Sequence, residues 1–206
     1  MIYPRKNIVI KTILQLYVRW ITARYFNEIN FNRISIDNHK SILLIANHFS
    51  AWDAIVLYHI NRIFFRKNFH GMILEKTAIK EPALKYAGGF SVKPGTRDVI
   101  KSLDFAAELL NEPDNLVLIF PQGKLYSNMV EEVVFESGIS HIIKKAENFQ
   151  LIFAATFIEN FDNFKPTANV HLKAQTGTDF KNISTLQQAY QQLYTQARRQ
   201  QTQITK

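Results

Sequence analysis

The chain contains no cysteine, which excludes a disulfide framework, a thiolate metal site and a cysteine nucleophile, and fits a reducing compartment. No stretch has the HExxH spacing of a zinc-hydrolase helix, so neither a metal nor another cofactor is expected. There is no internal repeat, and no low-complexity segment beyond a mild glutamine bias after Leu186. A clean membrane-spanning run is missing as well. The most apolar long stretch, residues 8–26, is interrupted by Lys11, Gln15, Arg19 and Arg24, and the same charges argue against a secretory signal peptide. Acidic residues are in the minority, 17 against 25 Lys and Arg, for a net charge of +8. That balance implies an anionic partner: a lipid headgroup surface, a phosphorylated substrate, an acidic carrier protein or nucleic acid.

What is present describes one folded domain over residues 1–206. Hydrophobic residues make up 47% and charged residues 20%, a composition that can bury a core. Residues 1–30 hold a helix in which Lys11, Gln15 and Arg19 form a polar stripe. Ile10, Leu14, Tyr17, Val18, Ile21 and Tyr25 fill the other side. With Arg5 and Lys6 ahead of it, this predicts an amphipathic helix lying in a membrane interface, the alternative being a helix packed on the domain's own core. Aromatic residues sit in apolar runs and are not interleaved with Lys and Arg, so nucleic acid is not an expected partner.

Further along, residues 41–46 and 116–120 are continuous apolar runs of strand length. Strands are also expected at 69–74, 88–92, 151–158 and 168–174. Helices are expected at 53–65, 78–86, 98–110, 138–147 and 186–199, the last within a C-terminal helical segment at 184–206. Fully apolar strands alternating with helices predict an α/β fold: a mostly parallel central sheet with helices on both faces, plus the N-terminal helix. The core of this unit spans 41–174. Ligands of such folds sit beyond the carboxyl ends of strands.

Two motifs occupy such positions. After the first apolar run comes Asn47-His48-Phe49-Ser50-Ala51-Trp52-Asp53. A neutral imidazole can take a proton near pH 7, and a carboxylate behind it can hold its tautomer. Five positions on one helix would put His48 and Asp53 on different faces, so the pair requires a loop, with Ser50 as the expected N-cap of the helix carrying Asp53. With six histidines, chance places such a pair in about one chain in five, so the pair alone identifies nothing. The second motif, Phe120-Pro121-Gln122-Gly123-Lys124, follows the second apolar run. Proline and glycine there force a tight loop that exposes backbone N–H groups.

Together the two motifs resemble the glycerolipid acyltransferase family, of the lysophosphatidic-acid type, which carries N-H-x4-D, then G-x-F/I-x-V-x-R, then F-P-E-G-T-R. The resemblance extends over residues 41–174. It implies that His48 is a general base that deprotonates the hydroxyl of an acyl acceptor, and that Asp53 orients it. Acyl transfer from a CoA or acyl-carrier-protein thioester then needs neither an acyl-enzyme nor a metal. Asn47 or backbone N–H groups would supply the oxyanion donors. Gln122 stands where the family has glutamate, and with Phe135-Glu136-Ser137-Gly138-Ile139 it resembles a branch with FPQG. In the middle motif, Gly88 to Lys93, Pro94 occupies the place of the phosphate-holding arginine, so Lys93 or Arg97 would have to replace it. A hydroxyl acceptor without a glycerol phosphate is therefore in play. Phe49, Trp52, Phe90 and Phe120 are candidates to line an acyl groove, against ordinary core packing for each.

The resemblance thus implies an O-acyltransferase acting on a lysophospholipid or other lipid-like hydroxyl. It would be cytoplasmic and peripheral on the inner face of the membrane. The alternative is a non-catalytic lipid-binding member of the same fold.

Overall fold

In a computed structural model, which describes residues 1–176 and 179–205, the fold is α/β. Helix α1 (Ile8–Tyr25) leads into a short strand β1 (Glu28–Phe31) and the buried strand β2 (Ser41–Ala46). Then follow α2 (Trp52–Ile60), β3 (Asn68–Leu74), α3 (Glu75–Lys80), β4 (Gly89–Val92), α4 (Asp98–Leu109) and β5 (Asn115–Ile119). The chain ends with α5 (Gly138–Lys145), β6 (Phe149–Glu159), β7 (Thr167–Gln175) and α6 (Ile183–Gln201).

The strands form one seven-stranded sheet in the order β1-β7-β6-β2-β5-β3-β4. Every pairing is parallel except β6 with β7. β2 is central, and its register with β5 places Ile45 opposite Ile119. The two strands therefore end side by side, and the two motifs leave the sheet as neighbours. Alternate β2 residues face opposite layers. Leu43 and Ile45 pack with Leu103, Ala106, Ile139, Ile142, Tyr190 and Tyr194 under α4, α5 and α6. Ile42 and Leu44 pack with Phe26, Val56, Leu57 and Ile60 under α2 and the end of α1. Burial on both faces is why β2 and β5 read as unbroken apolar runs.

Several expected boundaries move. The helix expected at 53–65 is α-helical only to Ile60, then makes a π turn over Asn61–Phe65, closed by Arg66 at φ 57°. The helix expected at 78–86 splits into α3 and a 3-10 turn, Pro82–Ala87. Glu81, the residue before the proline, leaves helical geometry at φ −118°, ψ 71°, as a residue preceding proline tends to do. Gly88, at φ 96°, ends that turn where an added Cβ would overlap the Phe69 carbonyl. Of the segment expected to be helical at 184–206, α6 stops at Gln201, and Lys206 lies outside the described residues.

The N-terminal helix differs in its faces. Thr22 is buried, and Ile10, Lys11, Leu14, Gln15, Val18 and Ile21 are half-buried against the body. The expected polar stripe is thus partly turned inward, and Tyr17 and Tyr25 are exposed. The outer face carries Val9, Ile13, Leu16 and Trp20, each more than half exposed, with Arg19 and Arg24 beside them. α1 packs on the domain and still shows a second apolar face. Among the described residues no helix is long and apolar enough to cross a membrane.

Candidate functional site

Beyond the carboxyl end of β2 the chain turns over residues 47–51 before α2 begins at Trp52. This loop solves the spacing of the His–Asp pair. Asp53, in the first turn of α2 and fully buried, points its carboxylate back into the loop. Its Oδ2 lies 2.9 Å from His48 Nδ1 and accepts the backbone N–H groups of Phe49, at 2.7 Å, and Ser50, at 2.9 Å. One carboxylate oxygen thus orders the whole turn. A carboxylate only accepts, so the proton sits on Nδ1 and leaves Nε2 with a free lone pair. The His48 side chain is 22% exposed, enough for a reactant to reach it. Ser50 is not the N-cap: Ala51 holds that position, in helical geometry and with no side-chain cap. Ser50 Oγ instead accepts the N–H of Trp52 at 3.1 Å.

The second motif holds the first. The Phe120 ring stacks on the imidazole with centroids 4.0 Å apart and planes 11° from parallel. Gln122 is buried, and its Oε1 accepts the backbone N–H of His48 at 2.7 Å. Gly123 takes φ 67°, a conformation open to glycine, and closes a turn onto the Phe120 carbonyl. Three residues on, the Tyr126 N–H donates to the His48 carbonyl at 3.0 Å. The main chain of His48 is therefore clamped at both its N–H and its C=O, and its ring is pressed from one face. The role of Gln122 in this clamp is that of an acceptor, which an amide oxygen fills as a carboxylate would. Lys124 is exposed, its ammonium 5.3 Å from the Tyr126 ring centre.

Asn47 lies apart from the reacting side. It is buried, donating to the Thr156 carbonyl at 2.9 Å and accepting the Thr156 N–H at 2.8 Å. Tyr190 Oη, buried beneath, approaches Asn47 Oδ1 at 3.3 Å and donates to the Ala154 carbonyl at 2.8 Å. The oxygen and one N–H of the Asn47 amide thus tie the end of β2 to β6. Its side chain is a structural tie. Burial pushes the Tyr190 hydroxyl well above the usual tyrosine range, so it stays a neutral donor.

Lys93 and Arg97 lie beyond the strand of the middle motif. They follow edge strand β4, three strand positions from β2, about 14 Å across the sheet at ordinary strand spacing. Lys93 pairs with Glu75 at 3.6 Å, and Arg97 is exposed. Phe90 is wholly buried against Phe105, and Trp52 packs on Phe26 and Tyr25. Of the aromatic candidates for an acyl groove, Phe120 is the one set against the imidazole.

Sequence reasoning missed Tyr126 and Tyr190, neither of which stands in a recognisable local pattern, and placed Thr156 only as part of the strand expected at 151–158. The glutamines of α6 stood out only as a compositional bias. Gln187 and Gln191 accept the N–H groups of Phe135 and Val133, at 2.8 and 3.0 Å, and Gln191 donates to the Glu131 carbonyl at 2.7 Å. The Glu136 N–H donates to the Pro121 carbonyl. The glutamine-rich helix thus pins the loop that runs on from Phe120.

A family model described as Acyltransferase matches residues 27–158, which contain His48, Asp53 and the whole 120–124 loop. Among curated proteins none matches the chain.

Proposed function

The chain belongs to the acyltransferase family, and on that premise we propose that it is an O-acyltransferase of the glycerolipid type. It moves a fatty acyl group from a CoA or acyl-carrier-protein thioester to a hydroxyl of a lysophospholipid or other lipid-like acceptor. The observation that carries this reading is the imidazole held at Nδ1 by buried Asp53 in a side chain that remains 22% exposed.

His48 Nε2 removes the acceptor's hydroxyl proton as the oxygen attacks the thioester carbonyl. The imidazolium formed is stabilised by Asp53 and by the face of Phe120. The tetrahedral intermediate collapses, an ester C–O bond is kept, the C–S bond breaks, and the thiolate takes the proton from His48. No covalent enzyme intermediate is needed. Gln122 and Tyr126 hold the base in position, and holding reacting groups in place lowers the barrier of a two-substrate transfer. Pro94 stands where the family has its arginine, and Lys93 is paired to Glu75. That supports a phosphate-free hydroxyl as well as a lysophospholipid. The exposed apolar face of α1, flanked by Arg19 and Arg24, supports a peripheral place at the inner face of the cytoplasmic membrane.

The test crosses labelled acyl-CoA and acyl-carrier protein with phosphate-bearing and phosphate-free hydroxyl acceptors. Ester formation in at least one combination is expected. Absence of transfer in all of them, with acyl-lipid binding retained, would favour a non-catalytic lipid-binding protein on the same fold.

A further inference from the structure

A cavity of about 320 Å³ opens at the end of the sheet opposite His48. It lies where β3 begins, between α1 and the π turn, and is lined by Lys11, Gln15, Arg62, Arg66, Lys67 and Asn68 among others. β3 runs parallel to β5, and β5 to β2, so a strand length of about 20 Å separates this cavity from the base. Four of its lining residues are cations and none is acidic.

The cations are oriented by neutral acceptors. Arg62 Nη1 donates to the Gln15 carbonyl at 3.3 Å, and Lys11 Nζ to Asn68 Oδ1 at 3.4 Å. Lys67 Nζ donates to the Asn38 and Pro113 carbonyls, both at 2.9 Å. The backbone of Arg66 takes a left-handed conformation, its N–H donating to the Asn61 carbonyl, and its side chain is exposed at the rim. Neutral partners leave these positive charges uncancelled. Elsewhere, Lys93, Lys101, Lys145 and Arg198 each meet a carboxylate. Two histidines beside the cavity feel the same field. Burial, reinforced by Arg62, pushes His59 below the usual histidine range, and burial with Lys11 and Lys6 does the same to His70.

Four like charges gathered in a partly desolvated recess repel one another, and an anion relieves that repulsion. We propose that this cavity is a binding site for a phosphate group, separate from the acyl-transfer centre. Phosphate is favoured because two guanidinium groups offer paired planar donors and the ammonium groups add point charges. The volume admits a phosphate ester with part of its alcohol. The group can come from a lipid headgroup or from a soluble phosphate ester. The site binds without any acyl donor, so it stands or falls apart from the acyl-transfer reading.

The test measures binding by the whole protein in two arms. One titrates inorganic phosphate and glycerol 3-phosphate by calorimetry. The other sediments the protein with phosphatidylcholine vesicles with and without phosphatidic acid. Wild type is expected to bind saturably in the first arm, or with dependence on phosphatidic acid in the second, and the arm that responds names the source. Arg66→Gln should weaken that binding about tenfold, and Arg62→Gln with Arg66→Gln should weaken it further. Arg199→Gln, on α6, should leave it unchanged. Arg66 is exposed, so its single variant keeps the test valid if the double variant fails to fold. Binding in neither arm, or binding that Arg66→Gln leaves intact, would overturn the proposal.

Discussion

The two ends of the sheet are built on opposite principles. At the carboxyl end, one imidazole is surrounded by groups that each have a fixed partner. Asp53 holds its Nδ1, Gln122 and Tyr126 hold its main chain, and Phe120 covers a ring face. At the amino end, Lys11, Arg62, Arg66 and Lys67 share a recess with no carboxylate among its lining residues. The first end spends polar bonds on holding a single atom in place, which suits chemistry. The second leaves charge uncompensated, which suits capture of an anion. The net charge of +8 therefore does not mark the reactive end of the molecule.

The sharpest way to break this contrast is at His48. His48→Ala should lower acyl transfer between about 10²- and 10⁴-fold. Its stability cost should be about 1.5–3 kcal/mol, the scale of one hydrogen bond to a charged group. Initial rates and a thermal melt check the two halves, and full turnover in the variant would remove His48 as the base.

A smaller effect is expected at the clamp. Gln122→Ala strands the His48 N–H and should lower transfer up to about a hundredfold through misplacement of the base. It should also cost about 1–3 kcal/mol in stability for the unsatisfied donor. Gln122→Glu, which keeps an acceptor oxygen, should retain more activity than Gln122→Ala in the same assay. If the two variants behave alike, the clamp is not what Gln122 contributes. The smallest effect belongs to the far end. Arg66→Gln, at an exposed position, should alter stability by no more than about 0.5 kcal/mol in denaturant titration. A larger loss would mean that the Arg66 side chain supports the fold.

Much of this arrangement was legible in the residues. β2 and β5 announce themselves because both faces are covered, so no polar residue interrupts them. Their shared register then explains why two motifs distant in sequence belong to one site. β1 was not legible: a four-residue edge strand, Glu-Ile-Asn-Phe, with alternating exposure carries too few positions to show a period. The inward turn of Lys11 and Gln15 was hidden because α1 is apolar on both faces, and a helical wheel cannot tell which face meets the body. The tie between Asn47 and Thr156, and the support from Tyr190 below it, join segments far apart in the chain. Nothing local distinguishes such an asparagine from one that faces a substrate.

The loop between β2 and α2 has a consequence for how the molecule fluctuates. Three successive backbone N–H groups, those of His48, Phe49 and Ser50, are all donated to side chains, one to Gln122 and two to Asp53. No ladder or helical turn stands behind them. Their exchange with solvent hydrogen is therefore governed by opening of two side-chain contacts, and not by fraying of an element. Protection of those amides in deuterated water is a clock on the reactive loop alone. It would register a substrate that tightens the loop before any bond is made.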